Sequence, residues 1–272
     1  MVYLGIDCGG TNLRVGIVDE NGNLKSRWKV ASPLNSKPQS LAEIVKELVK
    51  DEQIDAIGIG LPGLLDLRIG ALVGASNVNN HAPIDISGQF DRVFNKQSFS
   101  SSKKIHLEND VSVALLGEVW KGGAVGLERA AMLTAGTGVG SAFFLNGQIY
   151  NENGQHIELG HFIIDPNSKA TCGAGHHGCL EALINYSKNL DELSKWFGIG
   201  LTKMVDLFHP EKILVWGGKM AMGDFLPKAV EVMKKSGMKP AVDEVGVEYA
   251  KLGEWSGVYG AAKLAYDSNK NA

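Results

Sequence analysis

The chain has 272 residues, with 27 Lys and Arg against 30 Asp and Glu and a formal net charge of −3, giving a sequence pI near 6.2. The length suits two lobes better than one core, and the acidic balance argues against a nucleic-acid partner, because nucleic-acid-binding domains tend to be basic. No apolar run approaches the roughly 20 residues that span a bilayer, no basic-then-apolar leader opens the sequence, and three cysteines make no secreted disulfide framework; a cytoplasmic protein without membrane contact is expected.

In chain order, Val2 to Asp7 reads as a short buried strand. A glycine turn follows, then a strand from Leu13 to Asp19, an Asn21-Gly22 turn of the kind that accepts positive φ, and a third strand from Leu24 to Val30. Leu41, Ile44, Val45, Leu48 and Val49 have helical spacing. Ile54 to Leu61 is a strand ending at Pro62-Gly63, and Ile105 to Leu107 another, ending at Glu108-Asn109-Asp110 before a helix from Val111 to Trp120. The first pattern then returns: strand Arg129 to Thr134, glycine turn, strand Ser141 to Leu145, turn Asn146-Gly147. Two lobes built on one plan are expected from this repeat. Ile213 to Trp216 is a late strand ending at Gly217-Gly218, and Phe225 to Lys235 and Ser256 to Asp267 read as helices.

Glycine is abundant, 34 of 272 residues against a typical usage of roughly 7%, and it concentrates at turns where backbone can approach a ligand. In Asp7-Cys8-Gly9-Gly10-Thr11-Asn12, consecutive glycines leave N–H groups to form an anion nest. Thr11 adds a hydroxyl, and Asp7 places a carboxylate where magnesium is held, directly or through water. Thr134-Ala135-Gly136-Thr137-Gly138-Val139-Gly140 repeats this chemistry. One such turn is more often an ordinary hairpin; two in equivalent places favour phosphate binding. Phosphoryl transfer also needs a base at the acceptor hydroxyl. Asp110, between a strand and a helix, is the candidate, with helix capping as the competing reading.

Taken together, these residues resemble the ROK family of sugar kinases and repressors. Asp7 to Asn12 is similar to its first phosphate motif, Gly60-Leu61-Pro62-Gly63 to its sugar-side loop, and Glu108-Asn109-Asp110 to its catalytic Glu-Asn-Asp. Leu133 to Gly140 resembles its second phosphate motif, Glu158-Leu159-Gly160-His161 its Glu-X-Gly-His, and Gly178-Cys179-Leu180-Glu181 its Gly-Cys-X-Glu. The resemblance implies an α/β, two-lobed, actin-like (ribonuclease-H-like) fold with a duplicated core and a central cleft. It implies one lobe over residues 1–108, joined by the C-terminal helix 256–272, and a second over 109–255. It also implies ATP, Mg2+ and phosphorylation of a hexose or amino-hexose, commonly at the 6-hydroxyl. Asp110 would accept the hydroxyl proton. Gly63, Asn77, Asn109, Glu158, His161 and Glu181 would line or bind the sugar. Asp7, Gly9, Gly10, Thr11, Asn12, Thr134, Gly136, Thr137 and Gly138 would serve the phosphates, and Gly217 and Gly218 would pass the adenosine. A homodimer is implied as well.

The chain departs from the family in two places. The family's structural Zn2+ takes the His of Glu-X-Gly-His and three cysteines, but Ala174 stands where the middle cysteine belongs. His161, Cys172 and Cys179 supply three ligands, with His176 or His177 as the fourth or none. The stretch between Glu181 and Ile213 looks short beside the family's, which puts the adenine contacts and the choice of phosphoryl donor in question, and Trp216 replaces a small residue. Three rival readings accompany the kinase: a sugar-responsive repressor, whose N-terminal helix-turn-helix has no room before the first strand; a non-catalytic sugar- or nucleotide-binding regulatory member of the family; and an actin-fold ATPase with a cysteine-bound cluster, for which the cysteine spacing is wrong.

Overall fold

The alternation of short apolar runs with glycine and asparagine turns is realised as strands in the computed structural model, which describes residues 1–50, 52–75, 83–94, 104–151 and 154–270. The elements run β1 (Val2–Cys8), β2 (Asn12–Asp19), β3 (Leu24–Ala31), α1 (Leu41–Val49), β4 (Ala56–Leu61), β5 (Leu64–Asp66), β6 (Ala71–Gly74), β7 (Ile84–Asp85), α2 (Ile86–Phe94), β8 (Lys104–Asn109) and α3 (Asp110–Lys121). They continue with β9 (Arg129–Ala135), β10 (Val139–Leu145), β11 (Gln148–Ile149), α4 (Leu180–Asn185), α5 (Leu190–Phe208), β12 (Lys212–Trp216), α6 (Leu226–Ser236), α7 (Ala241–Glu244), β13 (Gly246–Tyr249) and α8 (Ser256–Lys270).

The chain divides into two units. Unit 1 holds Met1–Val125, Asn151–His156 and the segment from Glu254; unit 2 holds Gly126–Tyr150 and Ile157–Gly253. The main sheet of unit 1 has the order β3-β2-β1-β4-β8, and that of unit 2 the order β11-β10-β9-β12-β13. In unit 1, β1 pairs β2 antiparallel and β4 parallel, and β4 pairs β8 parallel. In unit 2, β9 pairs β10 antiparallel and β12 parallel, and β12 pairs β13 parallel. Strand for strand the two sheets share one plan, as the repeat in the sequence implies.

Each sheet has its own core. In unit 1, Leu4, Ile6, Val15, Val45, Ile57, Ile59 and Phe90 are buried together. β4 is buried at every position, as expected of an inner strand with both faces covered. In unit 2, Leu133, Phe143, Phe197, Leu201, Ile213, Val215 and Phe225 form the core. The small sheet β5-β6-β7 and α2 also belong to unit 1.

The expected lobe boundary at 108/109 and the division at 125/126 enclose α3 and the residues on either side of it. That helix crosses α8 backbone to backbone: a Cβ on Gly260 would stand 1.6 Å from the Val113 carbonyl oxygen, and one on Gly117 would stand 2.1 Å from that of Ser256. Beneath the crossing, buried Glu118 accepts the Ser256 hydroxyl at 2.7 Å. This packing places α3 in unit 1 and depends on residues about 140 positions apart, so it is invisible in a local reading.

The two Asn-Gly turns differ. Asn146 and Gly147 have φ of 52° and 82°, a two-residue hairpin that joins Leu145 to Gln148. The turn at Asn21-Gly22 is longer and is organised by Asp19, whose carboxylate accepts the N–H groups of Asn21 and Asn23 at 3.0 and 2.8 Å. The stretch from Glu181 to Ile213, for which no element is predicted, holds α4 and α5. α5 is capped by Asn189, which accepts the Glu192 N–H at 2.9 Å, and buries Leu193, Phe197, Leu201, Met204 and Val205.

Candidate functional site

In unit 1 the first glycine turn closes with the Gly9 N–H donating to the Asn12 carbonyl at 3.0 Å, directly after β1. Gly10, Thr11 and Asn12 complete the turn. Asp7, one residue from the end of β1, pairs across the sheet with Arg14 on β2, and Arg14 Nη1 lies 3.4 Å from its carboxylate. Burial and the negative charge of Asp110 push the Asp7 carboxyl up to about 7, against the opposing pull of Arg14. Gly257, at the start of α8, lets this carboxylate in: a Cβ there would stand 2.7 Å from Asp7 Cγ. Asp7 and Asp110 therefore sense each other's charge, and a divalent cation would relieve that repulsion. This donor chemistry fits Mg2+.

The junction of β8 and α3 holds both residues that could cap the helix. The residue that caps α3 is Asn109, whose Oδ1 accepts the Val111 N–H at 2.9 Å and the Ser112 N–H at 3.2 Å. Asp110 is the first helical residue, and its Oδ1 also meets the Val111 N–H at 2.9 Å. Asn109 is 2% exposed and spends its amide oxygen on the cap, which leaves its NH2 to donate elsewhere. Glu108, 5% exposed, accepts the Asn109 N–H at 2.8 Å and the Asn151 side-chain amide, and burial raises its carboxyl above the usual range. Sequence reasoning gave Glu108 no role of its own; its fixed position beside Asn109 is set by the segment Asn151–His156, which returns to unit 1. Gly63, with φ of 79°, sits where its missing Cβ would meet the Gly74 carbonyl oxygen at 2.2 Å. Asn77, expected at the sugar, lies outside the described residues.

In unit 2 the second turn is one residue tighter: Ala135 pairs with Val139, and the Gly136 N–H donates to the Gly138 carbonyl at 2.9 Å. The Thr134 hydroxyl reaches the Gly140 carbonyl at 3.4 Å. Val139 is the hub of this unit. Its N–H donates to Glu181 Oε2 at 2.9 Å, and its carbonyl oxygen would stand 2.1 Å from a Cβ on Gly160. The Glu-X-Gly-His segment is thus locked against the second turn through its glycine. Glu158 immediately precedes the 3-10 turn Leu159–His161, and its carbonyl accepts the His161 N–H at 3.0 Å. Glu181, assigned to the sugar from sequence, is 5% exposed and holds backbone on both sides: Val139 with one oxygen and the Gly173 N–H with the other, at 3.4 Å.

Gly217 follows β12 with φ of 134° and approaches so closely that a Cβ would stand 2.2 Å from the Ala135 carbonyl oxygen. A Cβ on Gly136 would have Gly218 N as a neighbour at 3.9 Å, so the two glycine pairs face each other with room between. A Cβ on Gly253 would stand 3.3 Å from the indole of Trp216, so the half-buried ring lies against that glycine.

His161, Cys172 and Cys179 come together with their ligand atoms all within 4.8 Å of one another, and Cys172 Sγ is 3.7 Å from His161 Nδ1. Burial pushes the Cys179 thiol up to about 11. His176 and His177 part company: the His176 ring stands edge-on to His161 with centroids 5.0 Å apart, whereas His177 Nδ1 is engaged by the Thr171 hydroxyl at 3.0 Å. Two thiols and an imidazole suit zinc; the His176 ring lies beside His161 but outside the set whose ligand atoms come within 4.8 Å of one another.

Comparison with known proteins shows what the chain as a whole is similar to. A glucokinase of Halalkalibacterium halodurans is 25% identical over 322 aligned residues, covering 96% of this chain and 94% of that protein. An N-acetyl-D-glucosamine kinase of Yersinia pseudotuberculosis is 29% identical over 202 residues, covering 68% of this chain and 62% of that protein. The crystal structure of a ROK hexokinase from Thermus thermophilus superposes with a TM-score of 0.80 at 26% identity and covers 100% of both chains, which makes the fold the actin-like one of that kinase. No helix among the described residues is long and apolar enough to cross a membrane. The ROK family model matches residues 3–187 and 185–268, two pieces that meet between α4 and α5; with nearly the whole sequence accounted for, the chain belongs to the ROK family.

Proposed function

We propose that this protein is a sugar kinase that transfers the γ-phosphoryl group of ATP to a hydroxyl of a hexose or amino-hexose, at the 6-position, with Asp110 as general base. The observation that carries the reading is the division of labour at the end of β8: the Asn109 amide caps α3, so the Asp110 carboxylate is not required for capping. A positioned base of this kind contributes roughly 10²- to 10⁴-fold in rate. The relatives named glucokinase and N-acetyl-D-glucosamine kinase support the sugar as acceptor, and the paired glycine turns support a polyphosphate donor group.

In this reading Asp7 and the first turn serve the phosphates and a bound Mg2+, which would neutralise charge on the transferring group. Thr134, Gly136, Thr137 and Gly138 serve them from the second unit, with Gly217 and Gly218 beside the adenosine. Gly63, Asn77, Asn109, Glu158, His161 and Glu181 serve the sugar. Paired acceptors and donors suit a polyol, because an absent hydroxyl leaves them unsatisfied. Zinc would be held by His161, Cys172 and Cys179, with His176 in place of the cysteine that Ala174 replaces, and would fix the loop whose Gly173 N–H meets Glu181. The protein would act as a homodimer, as the resemblance implies, and in the cytoplasm, as its composition suggests.

A coupled ADP-release assay across glucose, mannose, fructose, N-acetylglucosamine and N-acetylmannosamine tests the activity. Turnover with one or more of them is expected. No turnover with any, with ATP or polyphosphate as donor, overturns the kinase and leaves the regulatory reading.

A further inference from the structure

α4 has only six residues, yet each part of it is tied to another piece of unit 2. Its N-cap is Cys179, whose Sγ accepts the Ala182 N–H at 3.4 Å. On its body, Glu181 and Asn185 stand four residues apart, and so on one face of the helix. Both reach the second glycine turn. Glu181 Oε2 takes the Val139 N–H at 2.9 Å, and Asn185 Nδ2 donates to the Thr137 carbonyl at 3.0 Å. The two grips bracket Gly138.

The consequence lies in which backbone donors of the turn are left for an anion. The Gly136 N–H is spent on the Gly138 carbonyl and the Val139 N–H on Glu181. Among the described residues, the Thr137 and Gly138 N–H groups have no protein acceptor. In a planar trans peptide the C=O and N–H point in opposite directions. Drawing the Thr137 carbonyl toward Asn185 therefore aims the Gly138 N–H away from α4. Gly136 and Gly138 have wide conformational freedom, so the turn depends on such outside anchors to hold one shape.

We infer that α4 sets the second glycine turn in its anion-binding shape and that Asn185 is a positioning residue for the nucleotide, an inference that rests on the phosphate-binding reading of that turn. Asn185 does so without touching the nucleotide, by fixing the Thr137–Gly138 peptide. Glu181 extends the same link to the cysteine loop, through Gly173 at 3.4 Å, and Cys179 extends it to the candidate zinc ligands.

The test compares wild type with Asn185→Ala, Asn185→Asp and Asn185→Gln by steady-state kinetics, thermal melting and titration with AMPPNP. Loss of one such hydrogen bond is expected to raise the KM for ATP about fivefold in Asn185→Ala, with sugar KM and melting temperature unchanged. Asn185→Asp, which sets a carboxylate against the Thr137 carbonyl, is expected to raise it further, and Asn185→Gln, which keeps a donor, to recover part of the loss. An unchanged ATP KM in Asn185→Ala, or an equal rise in sugar KM, overturns the role of Asn185 alone. A wild-type protein that fails to bind AMPPNP overturns the phosphate reading of the turn and this inference with it.

Discussion

Arg14 faces Asp7 across β1 and β2 at 3.4 Å, and the same guanidinium reaches Glu254 through Nε at 3.4 Å. Glu254 also takes Lys29 Nζ at 2.5 Å, so Asp7 ends a chain of alternating charges that runs from β3 through the segment before α8 to the first glycine turn. The Asp7 carboxyl is nonetheless pushed up to about 7, because burial and Asp110 outweigh Arg14.

That balance has a definite sign. A carboxyl raised on folding holds its proton in the native state over a range where the unfolded chain has lost it, so stability falls as pH rises through that range. For Asp7 the range runs from its ordinary value near 3.8 to about 7. Urea denaturation at pH 5 and pH 8 should show wild type losing more stability than Asp7→Asn over that interval. Removing the opposing cation in Arg14→Met should extend the loss to higher pH. Equal pH dependence in wild type and Asp7→Asn would show that Asp7 is ionised throughout.

Asp110→Asn should keep sugar binding, measured by calorimetry, while kcat falls by roughly 10²- to 10⁴-fold. Asn109→Ala should differ in kind. It loses the cap of α3, so unfolding stability should drop by about 1 kcal/mol along with sugar affinity.

Zinc should be present in the purified protein at one equivalent per chain, and metal analysis measures it. His176→Ala should lower the retained zinc, because the His176 ring lies 5.0 Å from that of His161. His177→Ala should not, because His177 is turned to Thr171. Cys172→Ser should lose zinc more completely than either. Equal zinc retention in the two histidine variants would remove His176 as a ligand.

Gly160→Ala should be poorly tolerated. Its Cβ would stand 2.1 Å from the Val139 carbonyl oxygen, and backbone cannot swing aside as a flexible side chain can. Overpacking of this kind costs about 1–3 kcal/mol, readable as a lower denaturation midpoint, with a raised ATP KM because Val139 anchors the second turn.

The elements legible in the sequence were those with a strong local signal. α1 is found at Leu41–Val49, the span its spacing predicts, and β1, β2, β9 and β10 lie within a residue or two of their expected bounds because glycine turns punctuate them. α4 and α5 escaped although Leu193, Phe197 and Leu201 carry helical spacing. β5, β6 and β7 are too short to show a period. Among candidate site residues, Asp110 was ambiguous because a cap and a base occupy the same kind of junction, and only the structure shows that Asn109 supplies the cap from Oδ1.

By itself the sequence determined the duplicated sheets, the two glycine turns and the membership of the family, because turn chemistry and apolar period act over a few residues. Tertiary structure decided the rest. It placed α3 with α8, faced Arg14 to Asp7, and turned Glu181 and Asn185 onto the second turn. It also sorted His176 from His177. Each of these depends on a contact between backbone or side chains that local pattern does not specify, made at distances of a few ångströms where one carbonyl or one missing Cβ chooses the outcome.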